Sequence, residues 1–374
     1  MRSRLEALHD RVGQLLWIGF EGASLTAELL ELLREVRPGG LILFARNIES
    51  ASQVGALNQA LLGALDPPPF IAVDQEGGRV SRLRGLLGPT PAAFALGRRP
   101  DAARAVARFA AVTARALRSL GFNVNFAPVL DLSEPDMPNG IGDRAYSADP
   151  GKVTALARVF AREHLKSSVL PVGKHFPGLG GARADTHETL PTIGIPRADL
   201  WRRDLLPYRR LRRALPLMMA GHAFYPALQT SGPAPASLSR AVARDLLRRR
   251  LDYRGLLLTD DLEMGAVDQA LDGGEQALRA FDAGGDGLMF CRTRARILEA
   301  HARLRQAVAD RDIDPRRLQA SLRRIDALKK KHPGRRPAGS RRPDRFERAM
   351  AGARAAIAAL GMDEARGFDP TART

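Results

Sequence analysis

The chain has 374 residues, 45% of them hydrophobic, with one cysteine and a net charge of +17. That length and apolar content supply a large buried core and exclude a wholly disordered chain. The single cysteine, Cys291, excludes a disulfide framework and fits a reducing compartment. Residues 1–11 are charged throughout with no apolar signal region, and no run approaches the roughly 18 uninterrupted apolar residues of a membrane span. A soluble, cytoplasmic protein is expected, without membrane insertion.

In chain order, a strand over 15–20 leads to a helix over 26–36, a strand over 41–44 to a helix over 51–65, and a strand over 70–73 to a long helix over 101–120. Strands over 124–129 and 169–173 follow, separated by a helix over 150–165. A helix over 197–215 precedes a strand over 217–220, and a helix over 240–249 precedes a strand over 256–259. The last strand, 287–291, stands among further helix from 274 to 331. Strands of such uniform apolar character are buried on both faces. Eight of them alternating with helices predict a single α/β domain, a (β/α)8 TIM-type barrel over 1–331. Cys291 ends an apolar run and reads as a small core residue.

After Lys331 the periodicity stops. Residues 332–340 form a Pro/Gly/Arg-rich linker, 346–360 an Ala-rich helix, and the end is expected to be disordered, so 332–374 reads as a basic tail. Residues 329–348 hold nine Lys/Arg against Asp344 and Glu347, which is +7 of the net +17. The remaining clusters, such as Arg209-Arg210, Arg212-Arg213 and Arg248-Arg249-Arg250, lie on amphipathic helices. Aromatic content of 5% does not support a basic groove with interleaved stacking rings. Weak attraction to polyanions at low salt is expected, and a specific nucleic-acid partner is not.

The residues just past the strands carry the chemistry. Asp74, Asp131, the pair Lys174-His175, His222 and Asp260 follow the third to seventh strands. One polar residue there is an ordinary helix N-cap. Five such ends, two with histidine, indicate a site at the carboxyl face of a barrel. From Lys174-His175 a glycine-rich loop (Gly178, Gly180, Gly181) runs to Asp185-Thr186-His187. Two residues apart, the Asp185 carboxylate can hold one His187 nitrogen and leave the other for proton transfer near neutral pH. In 256–265 a strand period puts Asp260 on the face of Leu256 and Leu258, toward the pocket, and Asp261 on the other, where it would orient the next segment. Asp74-Gln75-Glu76-Gly77-Gly78-Arg79 with Arg82, and Asp143-Arg144, suit hydroxyl binding and loop closure, although a structural salt bridge also accounts for Arg144.

Together these residues resemble glycoside hydrolase family 3, specifically its bacterial single-barrel β-N-acetylglucosaminidases of cell-wall recycling, from about Gly13 to Leu304. The resemblance implies a retaining exo-hydrolase of terminal β-linked N-acetylglucosamine, with peptidoglycan fragments (GlcNAc-anhydro-muropeptides) as the expected substrate. It implies Asp260 as nucleophile and His187, oriented by Asp185, as acid and then base. Asp74, Arg82, Arg144, Lys174 and His175 match the family's sugar-binding positions. No metal or other cofactor is expected, and a monomer is. A departure is Leu179, where the family loop often has histidine; altered loop packing is the expected consequence. Larger relatives carry a second domain, for which the residues after Lys331 are too few.

Alternatives remain on the sequence. Phosphate in place of water would make the same intermediate serve a phosphorylase. Adjacent carboxylates also occur in glycosidases that use the substrate's own acetamido group as nucleophile. A metal-dependent barrel hydrolase would use His175, His187, His222 and an aspartate, but Gly19-Phe20-Glu21 stands where such barrels often place a His-x-His pair.

Overall fold

Eight apolar segments form the parallel strands of a closed barrel: β1 Leu16–Ile18, β2 Gly40–Leu43, β3 Phe70–Val73, β4 Val124–Asn125, β5 Leu170–Phe176, β6 Leu217–Ala220, β7 Leu256–Asp261 and β8 Gly287–Phe290. The architecture is that of a computed structural model, which describes residues 4–186, 188–267, 269–332 and 344–360. Each strand pairs with its neighbours in sequence, and β1 closes on β8 through Leu16↔Leu288, Trp17↔Met289 and Ile18↔Phe290. The strands are buried because helices cover the outside and side chains fill the inside. Trp17 plugs the interior, stacked on Phe70 at 5.3 Å, in space that side chains at Gly40 and Gly287 would need. Ile42 and Met289, two residues further along their strands, therefore face the same interior and form part of the pocket floor above.

The single (β/α)8 barrel is as expected, with local differences. Lys174 and His175 lie inside β5 rather than after it, because pairing continues past β4: Leu130 N–H donates to Lys174 O at 2.6 Å and Val129 bridges Lys174. The helix expected over 197–215 divides into Arg197–Arg202 and Leu205–Leu211, and Ala241–Arg250 is a π-helix. After β3 the chain forms an unexpected two-stranded ribbon, Gln75–Gly77 with Val80–Ser81, turning at Gly77 and Gly78 with φ of 104° and 62°. The barrel's closed end is tied by Asp286, whose carboxylate holds Arg248, Arg317, Arg324 and the Ser321 hydroxyl.

The long helix Pro315–Lys331 ends where the tail was expected to begin. Within that tail, Asp344–Ala358 forms a helix whose Phe346, Met350, Ala353 and Ile357 are buried against Ala51–Ala64, Arg84–Leu87 and Ala102–Ser119. Arg354 seals the contact, donating from Nε and Nη2 to Leu86 O at 3.1 and 2.7 Å. Of the linker expected over 332–340, all but His332 lies outside the described residues, as do 341–343 and the end expected to be disordered, 361–374. Met350 is 1% exposed, so Met350→Ala is expected to cost about 2–4 kcal/mol. Chemical denaturation measures this; a loss below about 0.5 kcal/mol, the range of ordinary surface substitutions, would mean that the helix does not dock in solution. Among the described residues no helix is long and apolar enough to cross a membrane.

Candidate active site

The carboxyl ends of the strands surround a solvent-open pocket of about 590 Å³ lined by Asp74, Arg144, Lys174, His175, Asp185 and Asp260, with Ile42, Phe126, Met219 and Met289 among its apolar walls. Its polar wall is one charge network. Lys174, carried inward by β5, donates from Nζ to Asp74 at 2.6 Å and reaches Glu76 at 2.7 Å. Arg144 meets Glu76 bidentately, Nε and Nη2 each 2.8 Å from a carboxylate oxygen. The Glu76 and Arg144 side chains are each 4% exposed. Burial alone would raise the Glu76 carboxyl, but Arg144 and Lys174 outweigh it and hold the group well below the usual carboxylate range. Lys174 shows the mirror case: burial lowers its ammonium, while Asp74 and Glu76 raise it above the ordinary value. Both cations therefore stay charged at the pocket wall.

Asp131 organises the next sector. Its carboxylate accepts from His175 Nδ1 at 2.7 Å, from the His175 amide at 3.2 Å and from the Leu179 amide at 2.7 Å. A carboxylate only accepts, so the hydrogen sits on Nδ1 and Nε2 is left toward Arg144 Nη2, 3.5 Å away. Leu179, the departure noted in sequence, is buried, and its amide does the anchoring. The loop after β4 is latched to the loop after β5 by Asn139, which donates to Gly180 O at 2.8 Å. A Cβ at Gly180 would stand 1.8 Å from Leu132 O, so only glycine fits this crossing.

Asp185 reaches the pocket at Gly140, where a Cβ would lie 3.5 Å from its carboxylate. The loop then turns onto the β7 side: Ala266 N–H donates to Thr186 O at 3.1 Å. His187 lies outside the described residues. Opposite, Asp260 is partly exposed at the end of β7, and its Oδ1 accepts from the Asp261 amide at 2.9 Å.

One expectation changes. Asp261 also lines the pocket, because pairing with β8 shifts register between Gly287↔Leu258 and Met289↔Asp261, and the irregularity breaks the strand's alternation. Burial, then the charges of Glu263 and Asp260, push the Asp261 carboxyl up to about 7, and its Oδ1 accepts from the Glu263 amide at 3.1 Å. Arg82 is 5% exposed and sits at 5.7 Å over the ring of Phe44, which lines the pocket. The ribbon turn directs Arg79 instead toward Asp143, Gly140 O and Ile141 O. Sequence reasoning assigned no role to Asn139 and marked Asp131 only as one of the polar strand ends; the only signal for Glu76 was a second acid two residues past Asp74. The metal reading used His222, which is fully buried with its nitrogens 2.8 Å from Asp261 O and 2.7 Å from Ser237 Oγ. Among the described residues no group of three or more His, Cys, Asp or Glu is arranged to hold a metal ion.

Residues 7–328 match the glycosyl hydrolase family 3 N terminal domain. A β-hexosaminidase of Pseudomonas aeruginosa is 37% identical over 280 residues, covering 75% of this chain and 83% of its own. A family 3 β-N-acetylglucosaminidase structure from Paenibacillus aligns with a TM-score of 0.83 at 32% identity, covering 94% of this chain and 68% of that one. A family 3 glycosyl hydrolase structure from Mycobacterium smegmatis aligns at 0.78 and 37% identity, covering 87% and 98%.

Proposed function

The chain belongs to glycosyl hydrolase family 3 and is a glycoside hydrolase acting on β-N-acetylhexosaminides, and from that premise we propose that it is a retaining exo-β-N-acetylglucosaminidase releasing terminal N-acetylglucosamine from peptidoglycan fragments. The observation that supports this reading is the meeting of Asp260 with the Asp74–Lys174–Glu76–Arg144 network and Asp185 around one pocket. Asp260 attacks the anomeric carbon as the aglycone leaves, forming a glycosyl-enzyme; water then breaks that ester with the configuration restored. His187, oriented by Asp185, protonates the departing oxygen and later takes the proton from water. Asp74, Arg82, Arg144, Lys174 and His175 bind the sugar hydroxyls. The lone Cys291, buried beside the pocket, fits a reducing cytoplasm.

Release of nitrophenol from nitrophenyl β-N-acetylglucosaminide, with the β-glucoside beside it and each run with and without phosphate, tests the reading. Strong preference for the acetamido sugar and free N-acetylglucosamine as product are expected. A sugar phosphate product would make the enzyme a phosphorylase, and equal rates on both sugars would overturn the specificity. Peptidoglycan fragments then test the aglycone: no sugar release from them, by enzyme active on the nitrophenyl glycoside, would remove that substrate. For His187→Ala, rates on poor leaving groups are expected to fall by on the order of 10²–10⁴, and on activated aryl glycosides far less. A uniform loss across a leaving-group series would deny His187 the proton-transfer role.

A further inference from the structure

The end of β7 is where the barrel's regular pairing stops. Its pairing with β6 ends at Ala220↔Thr259, and pairing with β8 slips register before Asp261. Past Thr259 the backbone around Asp260 is held on the β8 side alone, through Met289↔Asp261 and the Leu262 N–H to Met289 O bond at 2.9 Å, although a nucleophile needs its carboxylate fixed to within a fraction of an ångström. Other groups reinforce it from the β6 side. Asp261 O accepts from His222 Nε2 at 2.8 Å and from the Met264 amide at 3.1 Å, and Asp261 Oδ1 accepts from the Glu263 amide at 3.1 Å. Held at its carbonyl and its side chain, Asp261 turns its own amide onto Asp260 Oδ1 at 2.9 Å.

We propose that His222 is a positioning residue for catalysis, fixing the Asp260 carboxylate through the backbone of Asp261; the proposal rests on the reading of Asp260 as nucleophile. A carbonyl cannot donate, so Nε2 carries a hydrogen, and in the neutral ring Nδ1 accepts the Ser237 hydroxyl at 2.7 Å. Ser237 is itself placed by backbone: its amide donates to Gly221 O at 3.2 Å, and the Ala236 amide to Ala223 O at 2.9 Å. The turn Ala236–Leu238 is thereby folded back on the exit of β6, and its hydroxyl sets the ring that spans from β6 to β7. His222 is fully buried, so it acts on the reaction through Asp261 rather than by touching the sugar.

The test compares His222→Gln with His222→Asn, and adds His222→Ala, in the full-length enzyme. A glutamine amide reaches the position of Nε2 and can donate to Asp261 O; an asparagine amide is shorter, matches Nδ1 and reaches only Ser237. Both keep a polar group in the same buried site. Expected for His222→Asn and His222→Ala is a fall in kcat of about 10–100-fold, with KM within about threefold because the sugar-binding wall is untouched. His222→Gln should recover most of kcat, at a thermal midpoint matching that of His222→Asn. The rate of nitrophenol release in the first turnover should fall in parallel. Equal kcat for the Gln and Asn variants, or a change confined to KM or to stability, would overturn the proposal. Asp260→Asn run alongside separates the two readings. Turnover by that variant would remove the nucleophile itself, whereas an inactive Asp260→Asn beside a full-rate His222→Asn would remove only the positioning role.

Discussion

Asp260→Asn is expected to lose kcat/KM for nitrophenyl β-N-acetylglucosaminide by on the order of 10⁴-fold or more while keeping the fold. Asparagine has the same shape, and its amide oxygen can still accept from the Asp261 N–H that holds Oδ1 at 2.9 Å. Asp260 is partly exposed, so its side chain is not sealed in the core. The thermal midpoint should accordingly stay within about 2–4 °C of the parent. What disappears is the electron pair that forms the ester: an amide oxygen is a poor nucleophile, and both steps pass through that bond. Asp260→Gly adds a positive signature. With azide present, the small anion can enter from the vacated face and give an α-glycosyl azide of inverted configuration. Retained turnover by Asp260→Asn, with ordinary hydrolysis products, would exclude a covalent role for Asp260. An oxazoline intermediate from the substrate's acetamido group would then become the better account.

The barrel was legible because its evidence is local: each strand is a short apolar run buried on both faces, and each is followed by a helical period. Asp74, Lys174, His175 and Asp260 were legible for a related reason, since a polar residue at the end of an apolar run marks the rim of the barrel. What was not legible depends on departures from period. Asp261 was assigned away from the pocket by strict alternation, and the register shift against β8 overrides that. The different courses of Arg79 and Arg82 were not legible either, because the turn at Gly77-Gly78 sends Arg79 to the loop after β4 and leaves Arg82 over Phe44. Glu76 carried no signal of its own, because a buried carboxylate is recognisable only once its two cations, from segments 68 and 98 residues further along the chain, are seen to converge on it. The helix Asp344–Ala358 was visible as Ala-rich periodicity; its docking was not, since the Phe346–Gly55 contact joins the two ends of the chain.

Glu76 is also where the second large effect is expected. Its carboxylate lies between Arg144 and Lys174, with side chains 4%, 4% and 3% exposed, and removing it leaves two buried cations short of a partner. Breaking such a cluster from one side costs about 3–5 kcal/mol, because the desolvated charges stay behind. Glu76→Gln should show a loss of that order at pH 7, together with a rise in KM as Lys174 and Arg144 lose their fixed positions. The pH dependence follows from the direction of the shift. Glu76 is held below its unfolded value of about 4.3, so the unfolded chain binds the proton first as pH falls. The stabilisation is therefore complete above about pH 4.3 and is lost progressively as pH drops from there toward the folded value. The parent enzyme should lose stability more steeply than Glu76→Gln between about pH 5 and pH 3, and the gap seen at pH 7 should narrow on acidification. Urea unfolding of both proteins at several pH values measures this directly. Parallel curves with a constant gap would mean that the carboxylate contributes through packing alone, whereas convergence at low pH would identify its charge, pinned between two cations, as the feature that holds the polar wall of the pocket in place.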